Sequence, residues 1–216
     1  MKNKINVGLL YILPWILGIL LLKIFPFGLS LFLSFTRYDL ISSPQFIGIE
    51  NYVEMFKDEL FIKSLLNTIK YVIVTVPLKL AFALFIASIL NFKIKGVGIF
   101  RTAYYLPSIL GGSVAISVLW RFLFADNGLV NIMLKMLHLP TASWMGDQKY
   151  ALFTIGLLSV WQFGSSMVIF LAALKNIPNT LYEAARIDGA SKVRMFFSIT
   201  FPLLTPVIFF NFIMQM

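Results

Sequence analysis

Five stretches of this 216-residue chain, residues 7–35, 71–90, 102–124, 150–174 and 199–216, are almost wholly apolar. Together they hold three charged side chains, Lys23, Lys79 and Arg121, and no Asp, Glu or His. A helix that crosses a bilayer needs about 20 consecutive, mostly apolar residues. Each stretch approaches or exceeds that length, so each is expected to span a membrane. A lone strand in lipid would leave its backbone groups unpaired, whereas a helix pairs them internally. The expected fold class is therefore all-α, a polytopic membrane protein. Pro14, Pro26, Pro77 and Pro107 lie in or near these runs and are expected to act as kinks, which membrane helices tolerate. Lys23 looks like the deepest charge. It is expected to snorkel along its stem or to touch a polar neighbour.

Composition narrows the function. Only 12 % of residues are charged, against about 25 % in soluble domains. No cysteine is present and His138 is the sole histidine, so thiol nucleophiles, disulfides and histidine clusters are excluded. No P-loop sequence, G-x-S-x-G elbow or H-E-x-x-H helix occurs. Spans without carboxylates argue against a proton-coupled pump. The net charge of +9 does not point to nucleic acid, because the bases are spread along the chain and track the ends of the apolar runs.

That spread orients the chain. With the N-terminus inside, the inner segments hold Lys2, Lys4, Lys93, Lys95, Arg101, Lys175, Arg186, Lys192 and Arg194 against two acids. The outer segments hold five bases against seven acids. Residues 36–66 place Tyr52, Met55, Phe56 and Leu60 at helical spacing, which predicts an amphipathic helix at the outer interface. Residues 125–149 read similarly, with Trp144 as an interfacial anchor.

One charged, small-residue stretch interrupts the apolar sequence, NIPNTLYEAARIDGAS at residues 176–191. Pro178 suits the start of a helix, Gly189 a left-handed stop, and Ser191 the cap of a second short helix. Two short helices joined by a tight turn are expected, on the cytoplasmic side. Ala184, Ala185, Gly189 and Ala190 would let a partner approach the backbone, and Glu183 and Asp188 offer carboxylates. Thr180-x-x-Glu183 also fits a capping box, in which Glu183 only satisfies a helix end. The residues by themselves leave both readings open.

The spacing EAA-x3-G-x9-I-x-x-P, here Glu183, Ala184, Ala185, Gly189, Ile199 and Pro202, resembles the EAA loop of binding-protein-dependent ABC importer permeases. SFTRYDL, FIGIENY, LLNTIKYV, FRTAYYLPS, LWRFLF, NGLVN and SWMGD extend the likeness over nearly the whole chain. They are most similar to the larger permease subunit of the carbohydrate-uptake branch, as in maltose, multiple-sugar and glycerol-3-phosphate systems. The family usually has Leu before the final Pro, where this chain has Phe201.

The resemblance implies a type I ABC importer transmembrane domain in the cytoplasmic membrane of a bacterium or archaeon, multi-pass, with a cytoplasmic N-terminus. It implies an N-terminal helix and external amphipathic segment at residues 1–63, followed by a permease domain at 64–216. Six core helices are expected in the family and about five are present, so the chain is expected to be C-terminally truncated. The implied partners are a second permease subunit, two copies of a cytoplasmic ABC ATPase, an extracytoplasmic solute-binding protein and membrane lipid, with no nucleic acid. The chain is expected to be a transport subunit without its own ATPase site and without a cofactor or metal, ATP being bound by the partner. Coupling is expected at Glu183, Ala184, Ala185, Asp188 and Gly189. Ser113, Ser117, Gln162 and Ser166 are unranked possibilities for solute contact. The competing reading is a membrane scaffold or receptor subunit that recruits a cytoplasmic partner through the same loop.

Overall fold

The computed structural model describes residues 2–92 and 96–216, with side chains described from residue 8 onward. Lys93 and Lys95, and the side chains of Lys2 and Lys4, lie outside that description. Two compact units divide the chain, Met1–Leu66 and Asn67–Met216.

The first unit opens with α1 (Lys2–Ile19), a wide π-type turn at Leu20–Ile24 and α2 (Phe25–Leu33), together one apolar run with no residue from Gly8 to Leu33 buried. Such a helix suits lipid on all sides. Lys23 falls in the wide turn and is exposed. A two-residue antiparallel pair follows, β1 (Thr36–Arg37) against β2 (Gln45–Phe46), with Thr36 opposite Phe46. The short helix α3 (Glu50–Lys57) is tied back to this hairpin. Asn51 Nδ2 donates to the carbonyls of Ser34 and Thr36, both at 2.9 Å, and the Tyr52 and Ser34 hydroxyls share a 2.7 Å hydrogen bond. Of the residues expected on one amphipathic helix, Tyr52, Met55 and Phe56 lie on α3. Leu60 does not, because Asp58 is extended and ends that helix. The Asp58 carboxylate then accepts from the Leu60 N–H at the start of α4 (Glu59–Leu90).

The second unit packs around α4. Val76, Leu80, Ala83, Ala87 and Leu90 recur at spacings of three and four, on one helical face, and are all buried. They meet Phe163, Met167, Phe170 and Leu174. Ala83 and Ala87 have no exposed surface, and such small residues let membrane helices approach closely. The remaining helices are α5 (Val97–Leu110), α6 (Val114–Leu123), α7 (Leu129–Met136), α8 (Gln148–Trp161), α9 (Gly164–Lys175), α10 (Asn179–Ile187), α11 (Lys192–Met195) and α12 (Phe201–Gln215), with a second wide turn at Phe196–Thr200.

Among the described residues, three apolar helical runs are long enough to cross a membrane unbroken: Gly8–Leu33, Glu59–Leu90 and Lys192–Gln215. The other two expected spans are bent pairs, α5–α6 by 98° and α8–α9 by 43°. The first break has a local cause. Gly111 and Gly112 disfavour helix, and extended Ser113 starts α6 by accepting the Ile116 N–H on its hydroxyl. At 1.5 Å per residue, the 14 residues of α5 reach only about 21 Å of a roughly 30 Å hydrocarbon core.

Candidate functional site

The EAA stretch forms α10, which is short, exposed and sharply ended. Pro178 is its N-cap and supplies no side-chain cap. Thr180 is therefore inside the helix, and the capping-box reading of Thr180 and Glu183 is corrected: Glu183 is not held at a helix start. At the other end Gly189 adopts φ 72°. Its N–H donates to the Arg186 carbonyl at 3.1 Å, and the Ala190 N–H to that of Ala185 at 2.9 Å. This double closure is a Schellman motif, which satisfies the last carbonyls of a helix. Ser191 then caps α11, its hydroxyl accepting the Arg194 N–H at 3.3 Å. The expected pair of short helices with a tight turn is thus present.

Tyr182 anchors α10. It packs against the core of the second unit and shares a 2.8 Å hydrogen bond with the Thr200 hydroxyl. The opposite face is free. Glu183, Ala184, Asp188 and Gly189 are exposed and Ala185 is half-buried. Neither Glu183 nor Asp188 has a salt-bridge partner among the described residues. Ile187, which the sequence reading passed over, is 87 % exposed between them. In the sequence the only signal was an Ile set between Arg186 and Asp188 in a charged stretch; its exposure is decided by the fold. Asp188 and Arg194 also flank a hollow of about 280 Å³ between the end of α10 and α11.

The four polar residues considered for solute contact are all engaged in internal bonds. Ser113 caps α6, and its carbonyl accepts from the Ser117 hydroxyl at 3.5 Å. Gln162 Nε2 donates to the Gly111 carbonyl at 3.3 Å, lacing the two helix breaks together. Ser108 strengthens the lacing: its hydroxyl donates to the Gln162 carbonyl and accepts from the Ser165 N–H. Non-helical backbone at membrane depth needs such partners. Gly164 permits the contact, because a Cβ there would meet the Tyr104 carbonyl and lie 2.7 Å from Tyr105 Cα. Ser166 has no exposed surface and accepts a 3.2 Å bond from Gln215 Nε2.

That last bond belongs to a part-buried chain not foreseen from sequence. Lys79, on α4, donates to Gln215 Oε1 at 2.7 Å, and Gln215 donates onward to Ser166 on α9. Among the described residues Lys79, only 9 % exposed, is the enclosed charge, and Lys23 is not. Asn211, one turn before Gln215, keeps a buried Oδ1 without a donor among the described residues. A group of three or more potential metal ligands does not occur among the described residues.

With this geometry in place, the chain's relatives are informative. Residues 60–216 match the model of the family described as "Binding-protein-dependent transport system inner membrane component". The chain is 53 % identical over 210 residues to the "Probable ABC transporter permease protein YesP" of Bacillus subtilis, covering 96 % of this chain and 68 % of that one. It is 35 % identical over 211 residues to the "sn-glycerol-3-phosphate transport system permease protein UgpA" of Yersinia pestis, covering 96 % and 70 %. Among solved structures, a bacterial alginate ABC transporter in complex with an alginate pentasaccharide-bound periplasmic protein matches with a TM-score of 0.80. That match has 25 % identity and covers 99 % of this chain and 73 % of the other.

Proposed function

The chain belongs to the family of binding-protein-dependent transport system inner membrane components, and on that footing we propose that it carries a sugar or sugar-like solute across the cytoplasmic membrane of a bacterium or archaeon. The drive comes from a cytoplasmic ABC ATPase that docks on α10. The chain binds no ATP and needs no cofactor of its own. It works beside a second permease subunit and two ATPase copies, and receives solute from an extracytoplasmic binding protein. Its N-terminus and α10 face the cytoplasm.

One observation carries this reading. The EAA helix is fixed to the membrane unit by Tyr182 and Thr200, yet it presents Glu183, Ala184, Ile187 and Asp188 unpartnered to solvent. An element rigidly joined on one side and open on the other passes on motion from whatever binds it. The solute class rests on the glycerol-3-phosphate and alginate systems named among the relatives.

Co-purification of the cognate ATPase with the permease, alongside solute-stimulated ATP hydrolysis, tests the coupling. Loss of a partly buried charge pair costs about 2–5 kcal/mol, much of it from the partner charge left alone. Glu183→Gln keeps the side chain's size and helix preference but removes the charge. It is expected to lower association at least tenfold while leaving expression and melting of the permease unchanged. Normal association and normal stimulation in Glu183→Gln would return α10 to an ordinary turn, whereas an ATPase that binds the wild-type chain without solute stimulation would favour the scaffold reading.

A further inference from the structure

A second hollow, of about 430 Å³, lies beside the start of α10. We propose that it holds the phosphate of an anionic phospholipid. The proposal rests on the chain being embedded in a membrane and does not depend on ATPase coupling.

Four features converge there. Arg101 and Lys175 both line the hollow, and no Asp or Glu does. Arg101 is half-buried, its covered Nε lacking an acceptor among the described residues, and the rest of its guanidinium is the part that can donate to an anion in the hollow. Two helices also begin at its wall, α5 at Val97 and α10 at Asn179. Their N-caps, Gly96 and Pro178, supply no side-chain acceptor. The Ile99 and Leu181 N–H groups turn back onto the Gly96 and Pro178 carbonyls; the N–H groups ahead of them, unpaired within a helix, carry the positive end of its dipole, which favours a bound phosphate.

The rest of the wall selects a lipid over a free anion. Phe92, which is 69 % exposed, is the open apolar side chain of the hollow, and the buried Leu90 and Leu174 close it on the core side. A ligand with a phosphate at one end and an acyl chain at the other satisfies both walls. Basic hollows between helices at the membrane surface favour such headgroups.

The test is native mass spectrometry of the full chain released from detergent micelles, with dioleoyl phosphatidylglycerol or dioleoyl phosphatidylcholine added. Wild-type chain is expected to retain phosphatidylglycerol over phosphatidylcholine by roughly thirtyfold, about fivefold for each basic group. Lys175→Gln should lose about fivefold of that preference. Asn179→Asp should abolish it by placing a carboxylate in the hollow, while keeping or raising the melting temperature, because an acid in the first turn suits the helix dipole. Lost preference with an intact fold therefore reports on the site itself. Equal retention of the two lipids by wild type would overturn the proposal, as would an undiminished preference in both variants. Inorganic phosphate that displaced the lipid at matching concentration would assign the hollow to a free anion instead, and would also overturn it.

Discussion

Gly189 sits at φ 72° with open space where a Cβ would project. Within the isolated chain, Gly189→Ala therefore has no steric penalty, only the backbone cost of a left-handed alanine, about 1–2 kcal/mol. If the ATPase lies against this turn, association should fall further than chain stability does. Melting of the permease and pull-down of the ATPase, measured on the same variant, separate the two losses; equal losses would argue against close docking. Asp39 offers a second test of a single group. The backbone N–H and hydroxyl of Ser42 and the N–H of Ile41 all donate to its carboxylate. Those bonds, the Ser42 N–H first, lower its pKa from 3.8 to about 2. The group is fully solvated, so its effect is local. The turn it holds is intact above the ordinary carboxylate pKa, persists between 3.8 and about 2, and opens only as pH falls through about 2. A side-chain carboxyl titration by NMR should place its midpoint at about 2, and a midpoint near 3.8 would show that these bonds do not form in solution.

Between residue and fold, the segment from α6 to α8 is organised by Asn131, which is 2 % exposed. Its Nδ2 donates to the Asp126 carbonyl at 3.0 Å and the Ala142 carbonyl at 2.9 Å, and its Oδ1 accepts from Trp144 Nε1 at 2.9 Å. The indole N–H of Trp144 is thus spent on the protein rather than on the membrane interface. Its ring packs against Phe124 and Tyr150, and Thr154 donates to its carbonyl. Asn131→Ala would leave several of these groups unpaired, at about 1–3 kcal/mol for each one that stays buried. A total loss on the order of 3 kcal/mol is expected, read as a lower melting temperature in detergent with faster proteolysis between residues 137 and 147. An unchanged melt would mean that water replaces the side chain. The amphipathic spacing of this segment was legible; the asparagine was not, because nothing local marks one Asn as a hub for residues eleven and thirteen positions away.

For the whole molecule, the 98° bend of α5–α6 makes topology the decisive question. The basic-residue count treats residues 102–124 as one crossing, which puts Asp126 and Arg186 on opposite faces. If α5 and α6 instead dip in and return, Asp126 stays inside and the α8–α9 crossing puts Arg186 outside. The chain has no native cysteine, so Asp126→Cys and Arg186→Cys can be probed singly in intact cells. An impermeant thiol reagent added outside is expected to label position 126 and not 186. Labelling of both, or of 186 alone, would overturn the orientation.

By itself, the sequence determined those properties that depend on local composition. Apolar length set the membrane class and the approximate limits of the spans, because burial in lipid depends on the residues in the run and not on their neighbours in space. Gly189 and Ser191 fixed the stop and restart around α10, because a left-handed residue and a side-chain cap act within a few positions. Even the break after α5 was written in Gly111, Gly112 and Ser113, though an average over the apolar run hides it. The tertiary structure decided whatever needed a distant partner. It joined Lys79 to Gln215 across 136 positions, and bound the break at Gly111 to Gln162. It also set Arg101 and Lys175 around one hollow with two uncapped helix starts. A side chain's charge and hydrogen-bonding groups can be read from its identity, but the groups that will face it are set only when helices far apart in sequence pack together.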